Sequence, residues 1–311
     1  MNKIYDCIII GAGPAGVSAA IYLKRAGLDF LIFENQLVGG KVNLTSEIDN
    51  YPPFKNISGF DLSMQYLADL KHNEIKINQE EIIELINKDN IFYLKSKKNE
   101  YLAKTVLVCT GTRNKYLKFK NEEKYFNKGI STCAICDGNL FKNKPMAVVG
   151  GGNSSLEEAL YLANIAEKVY LIHRRNEFRG SKQYVDLVKN NSKIEILTPY
   201  EIVEGFGEDK LHSLSIINKE DNSLKNIEVE ALFEYVGLIP NSDFILINNI
   251  KDKNGFIEVN NNMESKQKGL FAAGDIVSDS FKQIIVASGD AAKASQSIIN
   301  YLQSQKIPGK N

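Results

Sequence analysis

Residues 131–138 read Ser-Thr-Cys-Ala-Ile-Cys-Asp-Gly, two cysteines three positions apart with a carboxylate directly behind them. Three chemistries compete for such a pair: half of a zinc site, a structural disulfide, or a dithiol that exchanges. Zinc takes four ligands, commonly two such pairs or one pair with two histidines. The other cysteines, Cys7 and Cys109, sit in apolar runs, and His72, His173 and His212 are scattered singly. A permanent disulfide between Cys133 and Cys136 would close a tiny loop and constrain little of the unfolded chain. What the spacing does offer is a thiolate of lowered pKa with a partner in reach, the requirement for thiol–disulfide exchange. Asp137 reads either as the acid and base for the protons that exchange moves, or as a turn aspartate ahead of Gly138.

Two further stretches handle phosphate. The apolar run Cys7 to Ile10 leads into Gly11-Ala12-Gly13-Pro14-Ala15-Gly16, then a helical pattern, then a second run, Phe30 to Phe33, ending in Glu34. Glycines at these positions allow a tight turn, close approach of backbone to a pyrophosphate, and tight helix packing, while the helix start supplies unpaired N–H groups. A carboxylate at the second strand's end accepts hydrogen bonds from a ribose diol. The same pattern recurs 139 residues later, with Met146 to Val149, then Gly150-Gly151-Gly152-Asn153-Ser154-Ser155, a helix, and Val169 to Ile172.

Where the first copy holds Glu34, the second holds His173, opening the run His173-Arg174-Arg175-Asn176-Glu177-Phe178-Arg179. Three arginines there suit a 2′-phosphate, which Glu34 would repel. The first copy therefore suits FAD or NAD, with a free ribose, and the second suits NADP. An exchangeable disulfide and two dinucleotide sites make a relay from NADPH through a flavin to sulfur and on to an external disulfide.

The elements that must position these residues follow. Two nucleotide units predict an α/β chain of two Rossmann-like domains, each three-layer ββα. Asp275 after Gly274 looks like a first-domain strand end, so the second domain is inserted in the first: residues 1–114 with 243–311, and residues 115–242. Turn formers in Thr112 to Tyr116 and Leu238 to Asp243 mark the crossings between them. Ile194 to Leu197 and Leu214 to Ile217 are spaced like a small antiparallel sheet. Residues 255–260 and 269–275 read as strands, and a helix is expected from about Lys282 to Tyr301. The 311 residues exceed a comfortable single core. With 38 basic and 38 acidic side chains, no charge excess exists to bind nucleic acid. No apolar stretch approaches the ~18 residues of a membrane span, and the opening residues run into the glycine turn as folded chain rather than a leader. Four cysteines in so long a chain point to a reducing cytoplasm.

Together these residues resemble the low-molecular-weight, bacterial-type NADPH-dependent thioredoxin reductases, class-II pyridine nucleotide-disulfide oxidoreductases. The resemblance runs nearly end to end, through GAGPAG, Gly39-Gly40, CAICDG, GGGNSSLEEALYL, HRRNEFR and FAAGDI. It implies an FAD domain made from both chain ends, an inserted NADPH domain carrying the cysteines, a homodimer, and thioredoxin as partner. Cys136 would face the flavin and Cys133 would exchange with thioredoxin, with Asp137 as acid and base. Asp275 would bind the flavin's ribitol, and Gln283 and Ile284 would turn N–H groups toward its pyrimidine end. Gly11, Gly13, Pro14, Ala15, Gly16, Glu34, Gly40, Asn50, Gly111 and Gly274 complete the FAD set. Gly152, Asn153, Ser154, His173, Arg174, Arg175 and Arg179 form the NADPH set. The NADPH domain resembles a unit that swivels about the two crossings. Lys41 stands where the family usually has glutamine, and Lys282 where arginine is usual. A peroxiredoxin or glutaredoxin-like partner is the alternative acceptor, disfavoured because no thioredoxin-like domain precedes the first glycine motif.

Overall fold

The structure is a computed structural model and describes residues 3–45 and 48–306. The chain divides into two compact units, Met1–Arg113 with Ile239–Asn311, and Asn114–Leu238. Each builds a sheet-sheet-helix sandwich, the fold class that the sequence predicts.

In the first unit the strand Ile4–Ile10 lies between Phe30–Phe33 and Glu100–Val108, parallel to both. Its Cys7, Ile8 and Ile9 are fully buried, as an apolar run covered on both faces must be. Ile82–Lys88, Ile91–Ser96 and Glu100–Val108 form an antiparallel meander, and Leu270–Ala272 returns from the far end of the chain to pair with Glu100–Val108. The helices Pro14–Arg25, Gly59–His72 and Ile284–Lys306 cover one face. Ala15, Ala19 and Ala20 share their core with Ala287, Ala291 and Ala294, small side chains that let helices approach closely.

The second unit centres on a five-stranded parallel sheet, in the order Ile194–Leu197, Lys168–Ile172, Pro145–Val149, Ala231–Glu234, Ile130–Ser131. Asn153–Ala163 and Lys182–Lys189 cover one face. The antiparallel strands Tyr200–Phe206, Ser213–Asn218 and Leu224–Glu228 cover the other.

Three expectations need correction. Ile194–Leu197 is not in the antiparallel layer: the helix Lys182–Lys189 carries the chain back across the sheet, so the strand pairs parallel to Lys168–Ile172. Residues 255–260 form no strand, because the turn around Asp252, whose Oδ1 accepts from Asn254 and Phe256 amides, leaves only single bridges at Ile257 and Val259. At the two crossings, Thr112–Asn114 and Leu238–Pro240 pair as a two-stranded ribbon. The last helix begins at Ile284 and runs to Lys306, later at both ends than the pattern indicates.

Candidate active site

Both glycine turns are built alike. The Gly11 amide donates to the Phe33 carbonyl at 2.8 Å, and the Gly150 amide to the Ile172 carbonyl at 3.0 Å. Gly11 has φ +100°, and a Cβ there would fall 2.4 Å from the Cys109 carbonyl oxygen, so no other residue fits. The helices that follow start at Gly13 and Gly152 with no side chain capping them. Their first-turn N–H groups stay open to a ligand. A Cβ on Gly152 would meet nothing within 4 Å, and one on Gly13 only the Gly39 carbonyl oxygen at 3.8 Å. These are open cradles in which backbone can approach a pyrophosphate. Pro14 occupies the first helical turn, where its missing N–H costs no hydrogen bond.

The strand ends differ as the sequence predicts, with one addition. Glu34 reaches back to its turn, Oε2 accepting from the Ala12 amide at 2.9 Å and Oε1 from Gln36. His173 is buried, stacked on Phe178 at 5.4 Å, with Nε2 3.2 Å from the Glu177 carbonyl. A Cβ on Gly151 would strike its ring, so His173 is the floor of the turn. Burial and the nearby arginines hold its pKa below the usual histidine value, despite the Glu177 carbonyl. Arg174, Arg175 and Arg179 are exposed. The Arg179 amide donates to Gly151 and the Ser181 amide to Asn153 Oδ1, which ties the basic run to the glycine turn and to the exposed Asn153 and Ser154.

Of the remaining residues of the first set, Gly40 and Gly274 pack against the Gly13 turn and its helix, and others pair among themselves. The Gly39 amide donates to Ala12 at 2.8 Å, and a Cβ on Gly40 would lie 3.7 Å from Gly13 Cα. A Cβ on Gly274 would touch Ala15 at 3.3 Å, and one on Gly111 would approach Asp275 Cβ at 4.0 Å. Asn50 Nδ2 donates to Gln283 Oε1 at 3.2 Å. The Gln283 amide donates to Phe281, while its carbonyl accepts from Ala287, the first bond of the helix beginning at Ile284. Spacing gave no sign of Lys41's contacts: Nζ lies 2.7 Å from Asp275 Oδ2 and donates to Thr112 Oγ1 at 2.8 Å.

The sulfur pair lies in the second unit. Cys133 and Cys136 form a disulfide, half-buried, and Cys133 starts the short helix Ala134–Asp137. Ser131 Oγ donates to Asp137 Oδ2 at 2.5 Å, and Oδ1 is buried without a partner. Burial raises the Asp137 pKa, and the serine only partly offsets it. The Tyr235 hydroxyl accepts from the Ala134 amide at 2.8 Å, fixing the helix between the two sulfurs; no spacing rule points to that tyrosine. Cys7 and Cys109 are buried free thiols, and burial pushes Cys7 up to about 12. Among the described residues, no group of three or more His, Cys, Asp or Glu is placed to hold a metal, and no helix is long and apolar enough to cross a membrane.

Residues 5–291 match the pyridine nucleotide-disulphide oxidoreductase family. The chain belongs to this family. Its relatives include a thioredoxin reductase from Ureaplasma parvum, 39% identical across 94% of this chain and 95% of that one. Another, from Helicobacter pylori, is 40% identical across 96% and 99%. The crystal structure of thioredoxin reductase from Streptococcus pyogenes superposes with a TM-score of 0.91 at 34% identity, covering 98% of this chain and 100% of that one. The family resemblance drawn from the motifs therefore holds over nearly the whole length. FAD and NADPH are the cofactors of this branch, and two open, uncapped glycine cradles with opposite charge at their strand ends fit that pair.

Proposed function

We propose that the protein reduces the disulfide of thioredoxin with NADPH, working through FAD and the Cys133–Cys136 pair. FAD and NADPH supply the hydride transfer and the electron relay to sulfur that side chains lack. In this reading the first unit is the FAD domain, with Gly11, Gly13, Pro14, Ala15 and Gly16 at the pyrophosphate and Glu34 at the ribose. Gly40, Asn50, Gly111, Gly274, Asp275, Gln283 and Ile284 complete its site. The second unit is the NADPH domain, with Gly152, Asn153 and Ser154 at the pyrophosphate. Arg174, Arg175 and Arg179 take the 2′-phosphate there, over His173. The observation that carries the reading is a disulfide followed at once by a half-buried aspartate, in the same unit as a dinucleotide motif.

With the pair reduced, the Cys133 thiolate attacks one sulfur of the external disulfide, and a bond to the partner forms as the partner's own S–S bond breaks. Cys136 then attacks Cys133 Sγ, which restores the Cys133–Cys136 bond and frees the partner as a dithiol. Asp137 holds a proton at Oδ1 while Ser131 fixes Oδ2; it protonates the departing thiolate and recovers a proton from Cys136.

Sulfur pair and NADPH motif belong to one unit, and both have to serve an FAD held by the other. A swivel about Thr112–Asn114 and Leu238–Pro240, where the chain passes between the units, meets that demand. A homodimer in the cytoplasm is part of the same proposal. It is supported by the family resemblance and, for the compartment, by free thiols at Cys7 and Cys109; sedimentation velocity tests the dimer. For the activity, Cys133→Ser and Cys136→Ser are each expected to lower thioredoxin reduction by about 10³-fold or more, while NADPH still bleaches the yellow flavin. Retained thioredoxin reduction in both variants overturns the proposal.

A further inference from the structure

Lys41 has an unusual position for a surface cation. Gly39 and Gly40, both at positive φ, turn the chain against Gly13 and set the residue that follows beside the first glycine motif. Gly274, also at positive φ, packs against Ala15 and Ala287 and leads directly into Asp275. The Lys41 ammonium lies between two partners there, Asp275 Oδ2 at 2.7 Å and Thr112 Oγ1 at 2.8 Å. Thr112 is only 3% exposed and belongs to the first crossing strand. One side chain thus joins the turn after Gly40, the crossing, and the aspartate proposed for the flavin.

The surrounding charges are few. Lys282 donates to the Val277 carbonyl at 2.7 Å and lies over the Phe256 ring. Its field includes Asp275, Lys41, Asp279 and Asp290. Without Lys41, Asp275 loses the ammonium that pairs with it, and the partly buried Lys282 remains as a cation in its field.

We propose that Lys41 is a positioning residue for the flavin: it holds the Asp275 carboxylate in place and keeps a fixed positive charge in the cleft, making bound FAD easier to reduce. The inference rests on FAD occupying the first motif. Reduction adds negative charge, which a nearby ammonium in a partly water-excluded cleft stabilises and an uncompensated carboxylate opposes. Loss of Lys41 acts in both ways in the same direction.

The test uses the full-length holoprotein, equilibrated anaerobically with a reference dye of known potential while the flavin spectrum is read. Lys41→Met and Lys41→Gln both remove the charge, glutamine retaining a donor for Thr112; Lys41→Arg keeps the charge. In Met and Gln variants the ratio of reduced to oxidised flavin is expected to fall about tenfold at a given dye ratio, about 30 mV for a two-electron couple. The Arg variant is expected to stay within twofold of the parent. FAD affinity, read by fluorescence on reconstitution, is expected to weaken about threefold or more in the Met variant. A merely structural lysine would change thermal stability and leave the dye ratio alone. Ratios within twofold of the parent in both Met and Gln variants overturn the inference, and the Gln variant alone decides if the Met variant sheds its flavin. A parent protein that takes up no FAD, or whose FAD is not reduced by NADPH, refutes the proposed function instead.

Discussion

The two glycine units are copies of one design with different tolerances. Their turns, helices and strands recur at a constant shift of 139 residues, and their turn hydrogen bonds match. Three of the differences between them have separate physical consequences. At the sixth residue of the motif, Gly16 lets its helix lie so close that a Cβ would fall 1.9 Å from the Gly11 carbonyl oxygen. The second unit has Ser155 there, fully buried, its hydroxyl donating to the Gly152 carbonyl at 2.8 Å. On the neighbouring strand, Ile10 pairs with Val108 in the first unit, whereas Val149 pairs with Glu234 in the second. At the second strand's end stand Glu34 and His173. One backbone plan thus sets helix distance, core polarity and ligand charge independently, each through a single side chain.

The largest effect is expected at the sixth position. Gly16→Ala forces a methyl group into a backbone carbonyl that cannot yield, and should destabilise the first unit by ~3 kcal/mol or more, seen in urea unfolding and in loss of flavin. Ser155→Ala removes one hydroxyl at a site already spaced for a Cβ and should cost ~1 kcal/mol. Equal costs would show that the two helices pack at the same distance after all.

That contrast marks how far the sequence could be read. The motifs, the inserted unit, the sulfur pair and the arginine run were all legible because each is written in local spacing: glycines at fixed intervals, strands as apolar runs, a CxxC. Ile194–Leu197 escapes the sequence reading because a four-residue run carries no sign of its partner, which the geometry of the preceding helical crossover decides. Lys41–Asp275, Tyr235–Ala134 and Ser131–Asp137 are contacts of the folded state. The first two join residues 234 and 101 positions apart, beyond any periodic signal. His173 was legible as a strand end, but its burial beneath Gly151 depends on a Phe178 stack that only the fold creates.

The second position gives a pH test. Glu234 is 4% exposed, and burial, with the Glu122 carboxylate beside it, pushes its pKa up to about 9. Glu122 itself accepts from the Leu117 and Lys118 amides. Folded Glu234 is therefore neutral where the unfolded chain, with an ordinary carboxyl, has lost its proton. The folded state binds the extra proton between the unfolded value and about 9, so stability falls as pH rises across that window and levels off above it. Between pH 7 and 9 the loss is expected to reach at most ~1.4 kcal/mol per pH unit. Glu234→Gln, closer to the apolar Val108 of the first unit, should flatten that slope in thermal unfolding. Parallel curves for the two proteins would mean that Glu234 is ionised in the native chain.

The third position separates ligand from fold. Arg174 and Arg175 are exposed, while the backbone that carries them is tied to Gly151 through Arg179 and to Asn153 through Ser181. Their replacement by alanine should leave unfolding unchanged. If they meet a 2′-phosphate, each should raise KM for NADPH about tenfold, the size of one charge-assisted hydrogen bond, and leave kcat and the KM for NADH untouched. Added salt should erase part of the difference, because exposed charges are screened. Glu34→Gln on the first unit should do none of this to NADPH, since its carboxylate serves the other cradle. An equal rise in KM for NADH and NADPH would assign the arginines to the common part of the nucleotide and remove the charge argument for distinguishing the two motifs.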